Sequence, residues 1–188
     1  SGFRQKAEQA EAVMDVMALT AASANTNIQQ LGLAMSYAAP TAAALEISVA
    51  DTSAAIGILS NAGIQSGRAG RQLRGILDSL VKPTGEATEA LREMGISLRN
   101  VDPTANSLID IFRRLSEANL TAAQASTIFG QAQAAGALVL AGSLPELEGL
   151  TEKTNNAGGA LSRMAGIMEN QLEADIKAAQ SAFEELIL

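Results

Sequence analysis

The chain has 188 residues, among them 37 alanines and 16 glycines, with one Tyr and no Trp, Cys or His. That composition excludes disulfide scaffolds, thiolate zinc sites, haem ligation and every nucleophile arrangement that depends on Cys or His. A formal charge of −7 weighs against a surface that grips a nucleic-acid backbone over many phosphates.

The length suits one ordinary domain, or a domain followed by a long helix. Alanine has high helix propensity but little surface to bury, so close helix packing must take the place of bulky side chains. With four prolines and almost no β-branched runs, the expected class is all-α: an irregular multi-helix domain of short alanine-rich helices. The charge is unevenly spread. Residues 63–82 carry four basic side chains and one acidic, a basic island in an otherwise acidic chain. Ser1-Gly2 reads as a cloning remnant with no secretion signal after it, and both ends fall inside helical patterns, as in a segment of something longer.

In chain order, the first helix is expected over Gln5 to Ser23. Asn25 or Thr26 caps a second, which carries Ile28, Leu31, Leu33, Met35 and Tyr37 and ends at Pro40; a short helix follows from Thr41 to Glu46. Ser48 and Asp51 have capping-box spacing and start a helix with Ala54, Ala55, Ile58 and Leu59, which Gly63 stops as a C-prime residue.

The next stretch, Gly63 through Gly75, organises the chain. Gly63, Gly67, Gly70 and Gly75 interrupt the apolar pattern of Leu73, Ile76, Leu77 and Leu80, which predicts two helix backbones meeting with little side chain between them. Ser66 reads as the cap of this helix. Arg68, Arg71 and Arg74, spaced three apart, read as a basic helix face or as a contact for an acidic protein partner or for DNA, and Asp78 stands at pairing distance from Arg74. No Lys-Ser/Thr pair or preceding strand accompanies the glycines, so they do not form a phosphate loop.

Thr84 caps the helix from Gly85 to Met94, and Gly95 ends it. Ile96 to Leu98 alternates briefly ahead of an Asp-Pro turn, an extended pattern too short to support a sheet by itself. Helix returns from Asn106 to Glu117. Leu120-Thr121 with Gln124 is a hydrophobic residue followed by a capping box, and its helix reaches Phe129. Gly130 need not stop it fully, because Gln131 to Gly142 is helical in pattern too; Leu144, Leu147 and Leu150 continue around Pro145 in a first turn.

The run Asn155-Asn156-Ala157-Gly158-Gly159 divides a helical core domain, residues 1–157, from a C-terminal element, residues 158–188. There Leu161, Met164, Met168, Leu172, Ile176, Ala179, Phe183 and Leu186 recur every three or four residues, giving one long amphipathic helix. Packing on the domain and self-association through 160–188 both stay open for it.

Carboxylates are what remains for chemistry. Glu86, Glu89 and Glu93 share a helix face, Asp110 and Glu117 another, and Glu146 sits near Glu148. Paired carboxylates can hydrolyse glycosides, but with one Tyr and no Trp there is no aromatic-lined sugar cleft, and a solvated face accounts for them better. No enzyme, cofactor or metal is expected.

Leu31-Gly-Leu-Ala-Met-Ser-Tyr37-Ala-Ala-Pro40, Ala42-Ala-Ala-Leu-Glu-Ile47, Leu59-Ser-Asn-Ala-Gly-Ile64, Gly67-Arg-Ala-Gly70 and Leu73-Arg74, followed by Leu80-Val-Lys-Pro-Thr84, Ala90-Leu-Arg-Glu-Met-Gly95, Ile128-Phe-Gly130 and Gly158-Gly-Ala160, resemble the core region of phage tail tape-measure proteins. Their order and spacing are more specific than any one piece. Two departures stand out: Arg71 lies where relatives resemble Thr, and Asn100-Val-Asp-Pro103 lacks the glycine of the short hairpin that the resemblance implies near residues 95–103. Helix-packing roles are expected from the pattern for Gly63, Gly67, Gly70, Gly75, Gly130 and Gly158, and the resemblance implies a structural function. The protein would lie in the tail lumen as ruler and scaffold, contact the tail tube protein and tail assembly chaperones while in the host cytoplasm, bind no nucleic acid specifically, and leave at DNA ejection. A second reading is a membrane-inserting or DNA-conducting module making transient membrane contact. It is motivated by Ala134 to Leu144, too short to span a bilayer, and by the amphipathic C-terminal stretch.

Overall fold

A helix with almost no polar face forms the axis of the structure. In the computed structural model, which describes residues 2–159, α3 (Val49–Asn61) is buried on all sides from Thr52 to Ser60. A helix can be surrounded in this way only if its side chains are small or apolar and its polar groups satisfy themselves. Ala54, Ala55 and Gly57 meet the first condition. For the second, the Thr52 hydroxyl donates to the Ser48 carbonyl at 2.8 Å and the Ser60 hydroxyl to the Ile56 carbonyl at 2.9 Å.

Around it stand α1 (Gly2–Ser23), α2 (Ile28–Ala44), α4 (Ser66–Val81), α9 (Gln131–Gly142) and α10 (Leu144–Asn155). Beyond them, α5 (Gly85–Glu93), the single turn α6 (Leu98–Val101), α7 (Leu108–Glu117) and α8 (Ala122–Phe129) complete an all-α array. No strand occurs among the described residues. Phe112, Leu59, Leu73, Ile76, Leu77, Ile111 and Leu140 are fully buried and form one continuous core. Each contributes roughly 1.5–3 kcal/mol relative to an exposed side chain. The long helix expected over residues 158–188 lies outside the described residues except for Gly158 and Gly159. The Gly159 amide donates to the buried Asp15 carboxylate at 2.6 Å, which fixes the end of the described chain to α1.

One connector recurs four times. At the ends of α2, α3, α5 and α7 a residue with positive φ (Glu46, Gly63, Gly95, Asn119) is followed by a hydrophobic one (Ile47, Ile64, Ile96, Leu120). Next comes the N-cap of the following helix: Ser48, Gln65, Ser97 or Thr121. The backbone bonds are those of a Schellman motif, for example Gly63 N to Ser60 O at 3.0 Å and Ile64 N to Leu59 O at 2.9 Å. The hydrophobic residue sits at C″ of one helix and N′ of the next, where it packs under both ends. Ser48 and Thr121 also cap with their hydroxyls, and Thr121 with Gln124 forms a full capping box.

Several sequence expectations are corrected here. Pro40 does not end the second helix: α2 runs through it to Ala44, and no separate helix begins at Thr41. Burial of Ala34, Ala38 and Ala42 along one face outweighs the one backbone bond that proline removes. The cap of α2 is Asn27, whose side chain accepts from Gln30 N at 2.9 Å, rather than Asn25 or Thr26. Ser66 does not cap α4. It is the first helical residue, at φ 55, and Gln65 holds the N-cap position without a side-chain bond. Residues 95–103 form no hairpin: Ile96 staples the α5 end, and Leu98–Val101 make one helical turn. The Asp102 carboxylate then takes the Thr104 amide and hydroxyl, at 2.9 and 2.7 Å. Gly130 is a sharp corner, φ 80 and ψ 158, a region open essentially to glycine, so α8 and α9 are distinct helices.

An ion-pair bridge ties α7 to α10. The Arg113 guanidinium donates to Asp110 at 2.6 Å and to Glu148 at 2.8 Å, while Ser107, the α7 N-cap, donates its hydroxyl to Asp110 at 2.8 Å. The Ser107 hydroxyl first, and Arg113 second, hold the Asp110 carboxyl below the usual aspartate range, and Thr104 does the same for Asp102.

Three measurements follow from this packing. At Gly70 an added Cβ would stand 2.7 Å from the Ala34 carbonyl carbon, a backbone atom that cannot swing aside, whereas at Gly149, inside α10, it would meet no atom of the described residues within 4 Å. Gly70→Ala is therefore expected to lower unfolding free energy by about 3 kcal/mol. Gly149→Ala should raise it by roughly 0.5–1 kcal/mol in the same urea titration. At Glu46 the positive φ imposes a Cβ cost that glycine lacks, so Glu46→Gly should stabilise by about 0.5–1 kcal/mol despite the added freedom of the unfolded chain. Because the carboxyls of Asp102 and Asp110 are held low in the folded state, their contribution is complete above the ordinary aspartate value of 3.8 and fades as pH falls through the depressed folded values. Circular dichroism between pH 2 and 6 should show a shallower acid limb for Asp110→Asn than for the parent.

Candidate functional site

The face most distinct from the rest of the surface is built by α2 and α4. These helices lie together because each turns a row of small residues to the other. Gly70 meets the Ala34 backbone, and Gly67 lies where an added Cβ would be 2.9 Å from the Tyr37 ring and 3.5 Å from Leu33. On the α4 side away from the core, Arg68, Arg71 and Arg74 are all exposed. Arg71 stacks its guanidinium 4.9 Å from the centre of the Tyr37 ring, a cation–π contact that roofs the gap left by Gly67. Arg74 pairs with Asp78 at 3.5 Å, the four-residue spacing expected from the sequence, and both are more than half exposed.

Farther along the same pair of helices the surface dips into an open groove of about 670 Å³. Tyr37, Pro40, Ala44, Leu45 and Val81 supply its apolar floor and walls; Arg74, Asp78 and Lys82 stand at its rim. Val81, 50% exposed, and Leu33, 49% exposed, are the most exposed large hydrophobic side chains among the described residues. Nothing in the sequence pattern announced the groove, because Pro40 reads as a helix end and only its retention inside α2 extends that wall to Leu45.

The other glycines occupy different situations. Gly75 faces Gln133 of α9, whose Cγ would be 2.7 Å from an added Cβ, and Gly136 of α9 in turn lies under Gln72 of α4 and 3.4 Å from Leu59. Two glutamines thus each cover a glycine of the opposite helix. Gln72 is 6% exposed and its Oε1 has no hydrogen-bond partner among the described residues. Gly63 and Gly130 sit at positive φ, in turns; an added Cβ would meet no atom of the described residues within 4 Å at Gly63 or at Gly158. Gly57, absent from the sequence-derived set, is a point of close approach on α3, with Leu150, Thr20 and Ala24 at 2.8, 3.2 and 3.3 Å from its would-be Cβ. Its signal was present: a glycine inside a fully apolar helical run marks a close approach.

No reaction centre forms among the described residues. Glu86, Glu89 and Glu93 line a shallow dip between α5 and α8 beside Ala123, Gln124 and Thr127, and Glu89 is paired with Arg92 at 2.9 Å, which lowers its carboxyl pKa. Glu148 is occupied by Arg113. No group of three His, Cys, Asp or Glu that could hold a metal ion occurs among the described residues. The Ala134 to Leu144 stretch buries Ala134, Ala137, Leu140 and Ala141 in the core, and no helix among the described residues is long and apolar enough to cross a membrane.

Comparison with known proteins matches residues 1–134 to the family described as phage-related minor tail protein. The chain is 33% identical over 193 residues to the tape measure protein of Pneumococcus phage Dp-1, covering 99% of this chain and 17% of that protein. It is 31% identical over 194 residues to the probable tape measure protein of Escherichia phage P2, covering 98% of this chain and 24% of that one. The chain thus spans less than a quarter of the length of these relatives. No solved structure matches it. Both relatives are matched across the α2–α4 face as well as the surrounding core, and the chain belongs to the phage tail tape-measure family, among the phage-related minor tail proteins.

Proposed function

We propose that this chain is a folded segment of a structural tail protein that serves as internal ruler and scaffold while a long phage tail is built, and that it has no enzymatic role. The observation that carries this reading is the near-complete match of the chain to two tape measure proteins, joined to a helical core with no converging ionisable groups among the described residues. In that role the protein occupies the tail lumen, meets the tube subunits and assembly chaperones in the host cytoplasm, and departs with the genome.

The acidic balance of the chain supports the same reading. At −7 overall, with a single short basic run over residues 63–82, the segment shares a space with DNA without gripping it. A membrane-spanning alternative has lost its motive within the described residues, because the apolar stretch that suggested it is spent on the core.

A ruler is tested by changing its length. Insertion of about 100 helical residues in frame into the full-length gene should extend assembled tails by about 150 Å, at 1.5 Å per residue. Electron micrographs measure this directly, and tails of unchanged length would remove the ruler role.

A further inference from the structure

We propose that the groove between α2 and α4 is a docking site for an acidic amphipathic helix of a partner protein. The occupant follows from two rows of side chains, one on each wall. On α2, Leu33, Tyr37, Pro40 and Ala44 fall at four-, three- and four-residue spacing and so form one line down the helix, exposed at Leu33, Pro40 and Ala44. On α4, Arg71, Arg74 and Asp78 make a second line that Lys82 continues at the C-cap; all four are exposed, and Val81 is 50% exposed beside them. From Leu33 to Ala44 the apolar row runs about 17 Å, the length of roughly three helical turns.

A trench between two packed helices is filled best by a third, whose side-chain ridges enter it. The inner face of that helix must carry large apolar residues three and four apart, to cover Pro40, Ala44 and Val81, which water covers poorly. Its flank towards α4 must carry carboxylates, because Asp78 offsets only one of the three cations in the facing row. Residues 63–82 have a net +3 in a chain of −7. An acidic helix is therefore repelled by most of the domain and drawn to this one face.

Other occupants fit less well. A second copy placed groove to groove would set Arg74 and Lys82 against their own counterparts. A flat lipid surface does not reach the floor of a trench, and DNA gains nothing from apolar walls with Asp78 on the rim. The site is separate from the ruler role, so failure of either leaves the other standing.

The test is a titration of the full chain, labelled at its valine methyls, with a synthetic helical peptide of about 16 residues that carries Leu at every third or fourth position and Glu on both flanks. A shift at Val81, with Val101 and Val139 unmoved, is the expected result. The same peptide with Lys for Glu should bind about tenfold more weakly, and added salt should weaken the acidic peptide. Lys82→Glu should also lower affinity for the acidic peptide about fivefold, while Arg99→Glu, exposed on α6, should leave it unchanged. Valine signals outside the groove report that both variants remain folded. No binding of the acidic peptide, equal binding of the two peptides, or shifts away from Val81 would overturn the proposal. So would a Val81 shift that grows with protein concentration alone, which assigns the groove to a second copy. Binding to phosphatidylserine vesicles that Lys82→Glu abolishes would overturn it in favour of a lipid surface.

Discussion

The contact on which the architecture depends is the one between the backbone of α2 at Ala34 and that of α4 at Gly70. In a chain with 37 alanines and four phenylalanines, helix contacts cannot gain much from any single side chain. What they gain comes from many dispersion contacts at short range, each of about 0.1–0.2 kcal/mol, and these fall away quickly with separation. Bringing two backbones together multiplies them. The same logic places Gly57 against Leu150 and Thr20, and sets Gln72 and Gln133 over Gly136 and Gly75. Small residues here set distance, and the leucines fill the space that the distance leaves.

Close approach requires that helices enter and leave at controlled angles, which the repeated connector supplies. Its positive-φ residue turns the chain sharply, and its hydrophobic residue is shared by the two helix ends. Where glycine occupies the turn, at Gly63 and Gly95, the conformation carries no Cβ cost. Glu46 and Asn119 accept that cost in the same place, which shows how strongly packing of Ile47 and Leu120 determines the turn.

The sequence made much of this legible, and the reasons for the exceptions are physical. Caps at Ser48, Thr84 and Thr121, the stops at Gly63 and Gly95, and the Arg74–Asp78 pair were readable because they depend on residues within four positions. Pro40 misled because its local effect is real but smaller than the burial of three alanines on the face that continues past it. The expected hairpin failed because Ile96 and Ser97 have two readings, alternating strand or staple and cap, and only the neighbouring helix end decides. The bridge from Arg113 to Glu148 and the groove beside Pro40 join residues far apart in sequence, so no local pattern could have announced them.

The basic rim and the glycine row are two consequences of one arrangement. A helix that gives one face wholly to a close contact must place its charges on what remains. On α4 the face towards the core and α2 takes Gly67, Ala69, Gly70, Leu73, Ile76, Leu77 and Leu80, which leaves Arg68, Arg71, Arg74, Asp78 and Val81 outside. Arginine suits those outer positions because its long stem can lie over a neighbour while its head stays in water, as Arg71 does over Tyr37. The positive potential therefore appears beside the closest helix pair, next to the groove that Pro40 extends. Packing of α2 on α4 thus determines where an otherwise acidic surface presents both cations and bare apolar side chains.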